Sequence, residues 1–380
     1  MVRSSFSSWL AAVWLVTGAP GKAAELPAPP FGVFVPIAEE VLDAAIEYCK
    51  RGQMAQARVL FAAIRDQLDP PQPVRELIQT LEHGGCTGGP SPRGQWELRA
   101  VAGYDDNVNQ GIRSSSLTLG NAAYSVELVV DDNYRPISSG FFEMAAGRSW
   151  ELADRFTLQI KAGGRQYPKV RSYDLANVNA TLKTRFNAMG RPIDWMAEWT
   201  ELWMNGRHYH TAWAMAAQAP VLPDAPQWNY AAVVQKVNYH TQPQQNAAQF
   251  QFGLNRQFHP GPGKALLLGA MGIWDHAQGL RAGGGRAGAN VHAIAQLRLQ
   301  PWLLTGRMSM THWATRQDFL PGLVGARRRN TLLQANAQAE YPLSPNHTLQ
   351  FDFQIRDSRD TIDLYAYRSY SLGVSWMARF

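Results

Sequence analysis

Two histidines and two acidic residues have the types and spacing that acid–base chemistry needs. His208 and His210 follow a polar turn at 205–207, and the strand predicted before that turn contains Asp194 and Glu198. Residues two apart on a strand share a face, so the imidazoles are expected side by side, and an imidazole near a carboxylate is the arrangement of a general base. A set of polar wall or loop residues is the favoured alternative. The chain has no GxSxG, HExxH or phosphate-loop motif, and we predict that it is not an enzyme.

The Gly-rich stretch 282–289 has the composition of a phosphate-binding loop, but no helix is predicted to follow it. Without a helix N-terminus the anion-binding mechanism is missing, and the glycines are expected to relieve crowding inside a curved strand. The two cysteines, Cys49 and Cys86, predict one disulfide in an exported protein. No CxxC motif or Cys/His cluster indicates a metal, and the sequence predicts no cofactor.

The N-terminal stretch 1–23 predicts a secretory signal peptide. It has a basic residue, Arg3, before an apolar segment from Trp9 to Val16, and Gly21 and Ala23 stand at the −3 and −1 positions of a cleavage site. A buried N-terminal helix is the alternative. The chain has 36 Lys and Arg against 30 Asp and Glu, a weak excess that gives no indication of nucleic-acid binding.

The apolar residues are abundant but dispersed. Of the 380 residues 46% are hydrophobic and 17% are charged, yet the mean hydropathy is −0.28. After residue 20 no apolar run reaches the roughly 18–20 residues of a membrane-spanning helix. The period of the hydrophobic residues therefore decides the fold class.

Residues 36–86 are predicted to form a small helical domain in the periplasm, followed by a Gly- and Pro-rich linker at 87–94. Apolar residues at helical spacing predict three helices in this part of the chain. Four residues resemble the small–large pattern of a tetratricopeptide (TPR) helix pair, namely Ala45, Gly52, Ala57 and Phe61. An ordinary helical hairpin is the alternative, because a single pair does not build a repeat array.

From residue 95 to 380 the apolar period changes to two. The alternation is clearest in four stretches, which are 176–186, 248–255, 332–341 and 349–356. In the last of them Phe351 and Phe353 alternate with Gln350 and Asp352, which predicts a strand with one apolar and one polar face. A soluble β-sandwich gives the same alternation, so the pattern alone does not identify a membrane protein.

Strand length and connector length favour a membrane barrel over a sandwich. The predicted strands have about ten residues or more, enough to cross a bilayer when tilted, whereas globular strands usually have about 5–6. Short turns alternate with longer connectors, as in transmembrane barrels, and the longer ones are expected at 105–135, 167–172, 314–327 and 358–365. We predict a mainly β protein in which residues 95–380 form an antiparallel transmembrane β-barrel of about 14 strands in the outer membrane.

Aromatic residues support this prediction. Tryptophans near strand ends are expected to form the girdles at the two membrane interfaces, and these are Trp96, Trp150, Trp203, Trp228, Trp274, Trp302, Trp313 and Trp376. The last strand ends on Phe380. Trp376 and Phe380 in that strand resemble the C-terminal signature of outer-membrane barrels, which implies recognition by the barrel-assembly machinery of a Gram-negative cell.

The same alternation predicts which charged residues face the lumen. The candidates are Lys183, Arg185, Arg298, Arg307, Glu340, Asp352 and Arg356. Such charges line a pore, bind a passing chain, or pair with each other across the wall, and the sequence does not separate these three roles.

A motif follows the first predicted strand of the barrel. It consists of Tyr104, Asp105, Asp106, Asn107, Val108 and Asn109, with a later Gly-Arg-x-Tyr at 164–167. The segment resembles the start of the barrel in the surface lipoprotein assembly modifier (Slam) family, whose members have a periplasmic TPR domain and a 14-strand outer-membrane barrel. The helical part is shorter here. A hydrated outer loop or a cation-binding turn are the alternative interpretations of the motif.

The resemblance implies a role in moving lipoproteins, or soluble haem- or iron-capturing proteins, across the outer membrane. We therefore expect a barrel, surrounded by outer-membrane lipid, that assists translocation or surface display of a lipoprotein or secreted client. A passive porin-like channel is the alternative. An outer-membrane hydrolase that uses His208 or His210 is a more distant one.

Overall fold

The computed structural model describes residues 37–50, 54–67, 72–84, 95–120, 125–152, 156–188, 191–222, 225–261, 263–320 and 324–380. The predicted signal peptide and the predicted linker lie outside these residues. Three helices come first, α1 (Ile37–Lys50), α2 (Met54–Gln67) and α3 (Gln72–Gly84), where the apolar spacing predicts them. None of these described helices is long and apolar enough to cross a membrane.

The helices pack around small and large apolar side chains. Ala45 of α1 and Ala57 of α2 are fully buried, in one cluster with Phe61 and Ile64. The two alanines let the helices approach closely, and Phe61 fills the space between them. Cys49 belongs to this cluster and is disulfide-bonded, and its predicted partner Cys86 lies outside the described residues.

In the described residues sixteen strands follow the helices. Two of them, β2 and β3, form a separate hairpin, and the other fourteen form one closed barrel in which consecutive strands are antiparallel neighbours. Their bounds are β1 (Gln95–Asp105), β2 (Ser116–Gly120), β3 (Ser125–Val129), β4 (Ser139–Leu152), β5 (Phe156–Gln166), β6 (Leu175–Ala188), β7 (Arg191–Met204), β8 (Arg207–Leu222), β9 (Ala225–Tyr239), β10 (Ala247–Gly261), β11 (Lys264–Ala277), β12 (Arg286–Leu299), β13 (Trp302–Leu320), β14 (Val324–Pro342), β15 (His347–Asp360) and β16 (Tyr367–Arg379). The predicted fold class is confirmed.

The first and last strands of the barrel close it. β1 pairs with β4 on one side and with β16 on the other. Next to this seam the backbones of Trp96 and Phe380 exchange two hydrogen bonds, each 3.0 Å between N and O. Because the sheet is closed, every strand of the described barrel has a paired strand on both sides, and the ends of β13 and β14 extend past their other neighbours.

Alternate residues face outward and inward along each barrel strand. On β15 the outward Phe351 is 40% exposed, whereas the neighbouring inward Gln350 is 5% exposed. Large exposed apolar side chains repeat on the outer face of the other strands, as at Leu254 and Val374. The period-two pattern of the sequence is thus the alternation between an apolar outer surface and a lined interior.

The two ends of the barrel differ in their connectors. At the turn end, the connectors between described strands have no more than the four residues of 343–346. At the loop end lie the longer segments 106–138, 167–174, 240–246, 278–285 and 361–366. In barrels of this kind the short turns face the periplasm and the longer loops face the exterior.

The prediction of a long connector at 314–327 is wrong. β13 extends to Leu320 and β14 begins at Val324, and Asp318 pairs with Arg327 across the hairpin. The Pro-Gly pair at 321–322 is typical of a loop, but the backbone of β13 and β14 continues to pair, with register shifts, beyond Ala314. The 105–135 connector likewise contains the β2–β3 hairpin.

The prediction that His208 and His210 share a face is wrong, because a β-bulge lies between them. Across the Asn205–Gly206 turn, Trp203 pairs with His208 but Leu202 pairs with His210, so Tyr209 is an extra residue. An extra residue reverses the alternation on the two sides of a bulge. His208 therefore faces outward and His210 inward, and the two imidazoles do not share a face.

Asp194 and Glu198 also lie away from His208. Asp194 is near the turn end of β7 and forms an ion pair with Arg185, with 2.6 Å between Oδ1 and Nε. Glu198 faces the interior of the barrel, where it accepts hydrogen bonds from Asn179 and Thr200. The acid–base group that the sequence suggested is therefore not assembled.

Most of the predicted girdle tryptophans face outward near the membrane interfaces. At the turn end the Arg148 guanidinium lies between Trp96 and Trp150, 5.2 Å from each ring. Trp313 is the exception, because it is buried and faces the lumen, with the Arg286 guanidinium 4.4 Å from its ring. Its assignment to a girdle is wrong.

The Gly-rich stretch 282–289 is divided between a turn and a strand. Gly283 and Gly284 have φ values of +77° and +68° in the β11–β12 connector, where residues with side chains are strained. Gly288 lies inside β12, where a Cβ would come within 2.0 Å of the His312 carbonyl oxygen. The expected relief of crowding in a strand applies to Gly288 only.

Candidate functional site

One row of inward residues shows how the lumen wall is built. Arg379, Glu97, Gly147 and Lys161 are cross-strand neighbours on β16, β1, β4 and β5. Lys161 Nζ lies 2.6 Å from Glu97 Oε1, and Arg379 Nε lies 3.3 Å from Oε2. A Cβ on Gly147 would come within 2.7 Å of Lys161 Cγ. Glycine at this position leaves the space over which the lysine reaches its partner.

A second row continues the alternation of charge toward the loop end. Arg165 Nη2 lies 2.7 Å from Glu143 Oε2, and Arg99 reaches Glu143 Oε1 at 3.9 Å and Asp352 Oδ2 at 3.6 Å. The Arg165 guanidinium also lies 4.1 Å from the Phe141 ring. Cations and anions thus alternate across β5, β4, β1 and β15. We call the inward charged residues of β1, β4, β5 and β13–β16 the charged wall.

Four of the predicted lumen residues belong to the charged wall. Arg307 interacts electrostatically with Asp352 and Glu340. Arg356 is buried and interacts with Asp105 and Tyr367. Since these pairs join neighbouring and next-neighbouring strands, the charges hold one another in place.

The other three predicted lumen residues lie on inward positions closer to the turn end. Lys183 on β6 interacts electrostatically with Glu198. Arg185 is largely exposed and paired with Asp194. Arg298 is exposed at the end of β12, where its backbone N–H donates to the Gly263 carbonyl. These residues frame the turn-end opening and are not part of the charged wall.

The opposite side of the lumen is uncharged. The inward positions between 210 and 220 on β8, 229 and 239 on β9, and 247 and 259 on β10 hold no Asp, Glu, Lys or Arg. They include an apolar stripe that continues onto β7 and β11, formed by Met196, Ala216, Ala231, Val233 and Met271. Amide side chains such as Gln249 and Gln251 accompany it and bond to each other at 2.8 Å. We call the inward residues of β8–β10 the neutral wall.

A further group of charges lies inside the loop end. The Asp275 carboxylate pairs with Arg281 and, at 3.1 Å, with Arg286. Arg328 pairs with Asp360 at 2.7 Å and lies over the ring of Tyr365, at 3.5 Å from its centroid. Sequence reasoning missed these pairs because each joins a strand end to a loop or to the next strand.

The motif residues of the first loop are structural. Asn107 Nδ2 donates to the Gly111 and Arg368 carbonyl oxygens, and Asn107 Oδ1 accepts from the Gly111 amide. Asn109 bonds in the same way to backbone groups of 133–137. Both side chains are buried, so the expected hydrated loop or cation-binding turn is wrong for these two residues.

The acidic residues of the motif tie the same loop to the last strand. Asp105 Oδ1 accepts from the Asn107 amide at 3.0 Å, and Asp106 Oδ1 accepts from the Tyr370 amide at 2.6 Å. Tyr104 is on the outer face of β1, exposed. The loop that begins at the motif is therefore fixed to the barrel rim by backbone hydrogen bonds to polar side chains.

Tyr167 lies just beyond β5 at the mouth of the lumen. Its hydroxyl is 3.3 Å from Arg165 Nη1, and its ring meets Phe141 edge-on with centroids 6.0 Å apart. Burial raises the pKa of the Tyr167 hydroxyl, which therefore remains neutral and accepts a hydrogen bond from the guanidinium.

Comparison with known proteins gives structural neighbours and no family. No family model and no curated protein matches the chain, so the resemblance to the Slam family stays a prediction. A bacterial polysaccharide outer membrane secretin matches 75% of this chain and 97% of its own, with 8% identity and a TM-score of 0.42. OccAB3 of Acinetobacter baumannii matches 76% and 100%, with 7% identity and a TM-score of 0.41. A Pseudomonas aeruginosa FadL homologue matches 76% and 90%, with 9% identity and a TM-score of 0.39.

The class of the protein follows from its own geometry. A closed antiparallel barrel of fourteen strands presents an exposed apolar surface outward and a polar lining inward. This combination satisfies every backbone group within the sheet and matches the outer surface to lipid. The chain is an outer-membrane β-barrel.

Proposed function

We propose that the barrel is an outer-membrane channel for small charged solutes. The observation that carries the proposal is the charged wall, in which the paired residues Arg165, Glu143, Arg99 and Asp352 alternate in sign across β5, β4, β1 and β15. A membrane barrel gains nothing for lipid contact from charges on its inner face. Fixed charges along a pore do provide successive sites for a passing ion.

The neutral wall adds orientation to this function. A solute with a charged group and an uncharged body gains electrostatic contact on one side and apolar contact with Ala231 or Val233 on the other. Fixed ion pairs keep each charge in place, so the wall is organised before a solute arrives. The channel therefore favours solutes with both a charge and an apolar part.

Ion selectivity in planar lipid bilayers tests the proposal. Arg99→Gln removes the cation between Glu143 and Asp352, and we expect the reversal potential in a KCl gradient to shift toward cation selectivity. Lys236→Gln removes the same charge from an exposed position on the outer face of β9, opposite Trp213, and is the matched control. An equal shift in both variants, or an insulating wild-type barrel, would contradict the channel.

A second candidate function is assistance in the surface display of a lipoprotein or secreted protein. The helical domain favours it. The helices of 37–84 precede β1, which begins at the turn end, and since short turns of such barrels face the periplasm, the proposal assigns these helices to the periplasmic side. A channel for small solutes has no need of such a domain. A translocator uses one to receive its client.

Deletion of 36–85 separates the two candidates. A channel retains its conductance in bilayers without the helices, whereas a translocator loses client display. The second readout is the set of proteins released from the surface of intact cells by protease, compared between the full chain and the deletion. An unchanged set of surface proteins excludes the display function and leaves the channel.

We further propose that the barrel-assembly machinery recognises β16. Trp376 and Phe380 are exposed on the outer side of the closing strand, where a receptor can reach them before closure. Replacing both with serine is expected to lower the amount of folded barrel in the outer membrane, measured by its altered gel mobility without heating. The same change at Val374 and Leu372, also exposed on β16, is the control for lost apolar area.

A further inference from the structure

Three potential metal ligands converge on the outer face of the barrel near the loop end. They are Glu201 on β7, His208 on β8 and His240 just after β9. One ligand atom from each lies within 4.8 Å of the other two. Among the described residues, no other group of three histidine, cysteine or acidic side chains has its ligand atoms this close together.

The β-bulge creates the group. His208 faces outward because Tyr209 is the extra residue of the bulge. The preceding turn, Asn205–Gly206, has positive φ at both residues, +48° and +71°, the conformation of a tight two-residue hairpin. This hairpin places His208 beside Glu201, whose Oε2 it contacts through Nε2.

The third ligand comes from the next strand. The His240 amide donates to the Tyr209 carbonyl at 2.9 Å, which fixes the backbone of His240 to the bulge. The rings of His208 and His240 stack with centroids 3.9 Å apart. Trp203 stacks on the other side of His208 at 5.5 Å, so this imidazole is held from both faces.

A threonine hydroxyl joins the two sides of the group. Thr211 Oγ1 donates to Glu201 Oε2 at 3.0 Å and lies 2.9 Å from His240 Nε2. Thr211 thus helps to orient Glu201 and His240, as hydrogen-bonded neighbours of metal ligands do. Glu201 is mostly buried, whereas His240 is exposed, so closing the remaining distance requires the His240 side chain to rotate out of its stack on His208.

We propose that Glu201, His208 and His240 bind a first-row divalent transition metal of the Zn²⁺ class. Two imidazole nitrogens and one carboxylate oxygen are ligands that Zn²⁺ takes, at about 2.0–2.2 Å. Ca²⁺ and Mg²⁺ require mainly oxygen ligands and do not fit this set. Three protein ligands leave one position for water. The bound metal would tie β7, β8 and the end of β9 together at the outer rim.

Metal titration of the full chain tests the site. The untagged protein is folded in detergent micelles, stripped with a chelator and titrated with Co²⁺, whose visible absorption reports tetrahedral coordination, and Zn²⁺ is then used to displace it. We expect one metal ion per chain. Glu201→Gln and His240→Ala should each raise the dissociation constant at least about a hundredfold, because even an outer-shell partner is worth about 10–100-fold.

His312→Ala is the matched control. His312 also faces outward on its strand and also lies beside a threonine, with 2.9 Å between Nδ1 and Thr331 Oγ1, but it is not in the group. Its replacement should leave stoichiometry and affinity unchanged. Heat-dependent gel mobility verifies that each variant is folded. Absence of stoichiometric binding, or equal affinity in the wild type and both ligand variants, would overturn the proposal.

Discussion

The charged wall and the neutral wall of the lumen are built from the same strand geometry but are stabilised differently. On the charged wall each inward side chain depends on a named partner, as Glu143 depends on Arg165 and Arg99. On the neutral wall, inward residues such as Val233 depend on packing against neighbours of similar polarity. A substitution on the charged wall breaks one specific ion pair. A substitution on the neutral wall changes the packed side-chain volume. One barrel interior thus combines a surface held by electrostatic pairs with a surface held by van der Waals packing.

Glu143→Gln is expected to have the largest effect on this comparison. It leaves the mostly buried Arg165 guanidinium without its carboxylate, and Arg99 keeps only Asp352. Removing one partner of a buried pair costs about 3–5 kcal/mol of the free energy of unfolding. Urea titration of the barrel in lipid vesicles, followed by tryptophan fluorescence, measures the change. Asp194→Asn removes the partner of the exposed Arg185 and should cost only about 0–1 kcal/mol. Similar costs for the two variants would mean that the charged wall is as hydrated as the exposed pair.

A Gln→Arg substitution, made once on each wall, is expected to give the next largest effect. Gln235→Arg places a cation on the neutral wall between Ala214 and Gln249, and we expect it to cost more than about 3 kcal/mol of unfolding free energy because the charge is buried without a partner. Gln338→Arg places the same cation beside Glu340 and opposite Asp352. That change should cost less than about 1 kcal/mol. Equal destabilisation in the same urea titration would show that the two walls do not differ in electrostatic environment.

Val233→Ala is expected to have the smallest effect of the three. Removing two methyl groups from a residue that is 1% exposed should cost about 2 kcal/mol, from about 0.8 kcal/mol per buried carbon and a small cavity. Because no charge changes, the reversal potential of the channel should stay that of the wild type. A shift in ion selectivity from this variant would remove the division of roles between the two walls.

The sequence predicts the barrel well because its signal is local. Each strand repeats an apolar residue at every second position, and lipid requires that repeat over the whole width of the membrane. The inward and outward assignments of Phe351 and Gln350 follow from this requirement. Beyond the membrane the requirement ends. The 314–327 segment lacks a sustained two-residue alternation and is predicted as a loop, although its backbone still pairs.

The ion-pair partners inside the lumen cannot be predicted from the sequence in the same way. Lys161 reaches Glu97 across Gly147, a row that depends on the relative register of three strands. Periodicity assigns a face to each residue but not a register to each pair. The inward position of Trp313 can be predicted, however, because Trp313 lies six residues from the inward Arg307 on the same strand.

The bulge at Tyr209 is the clearest limit of sequence reasoning. A single inserted residue changes the face of everything beyond it, and no residue type in the 207–211 stretch requires it. The sequence therefore placed His208 beside His210, whereas the structure places it beside Glu201 and His240. Glu201 and His240 lie outside this stretch, and the pattern of the sequence does not show that the bulge turns His208 toward them.

The seam between β1 and β16 has a consequence for the order of folding. Glu97 pairs with Arg379 and Asp105 with Ser371, so the two strands that complete the cylinder are at opposite ends of the barrel sequence. Such a contact has the largest loop-closure cost in the molecule and forms slowly. Until it forms, both strands have open edges on which foreign strands can add. The nascent chain therefore needs protection for the whole time between synthesis of the first barrel strand and arrival of the last.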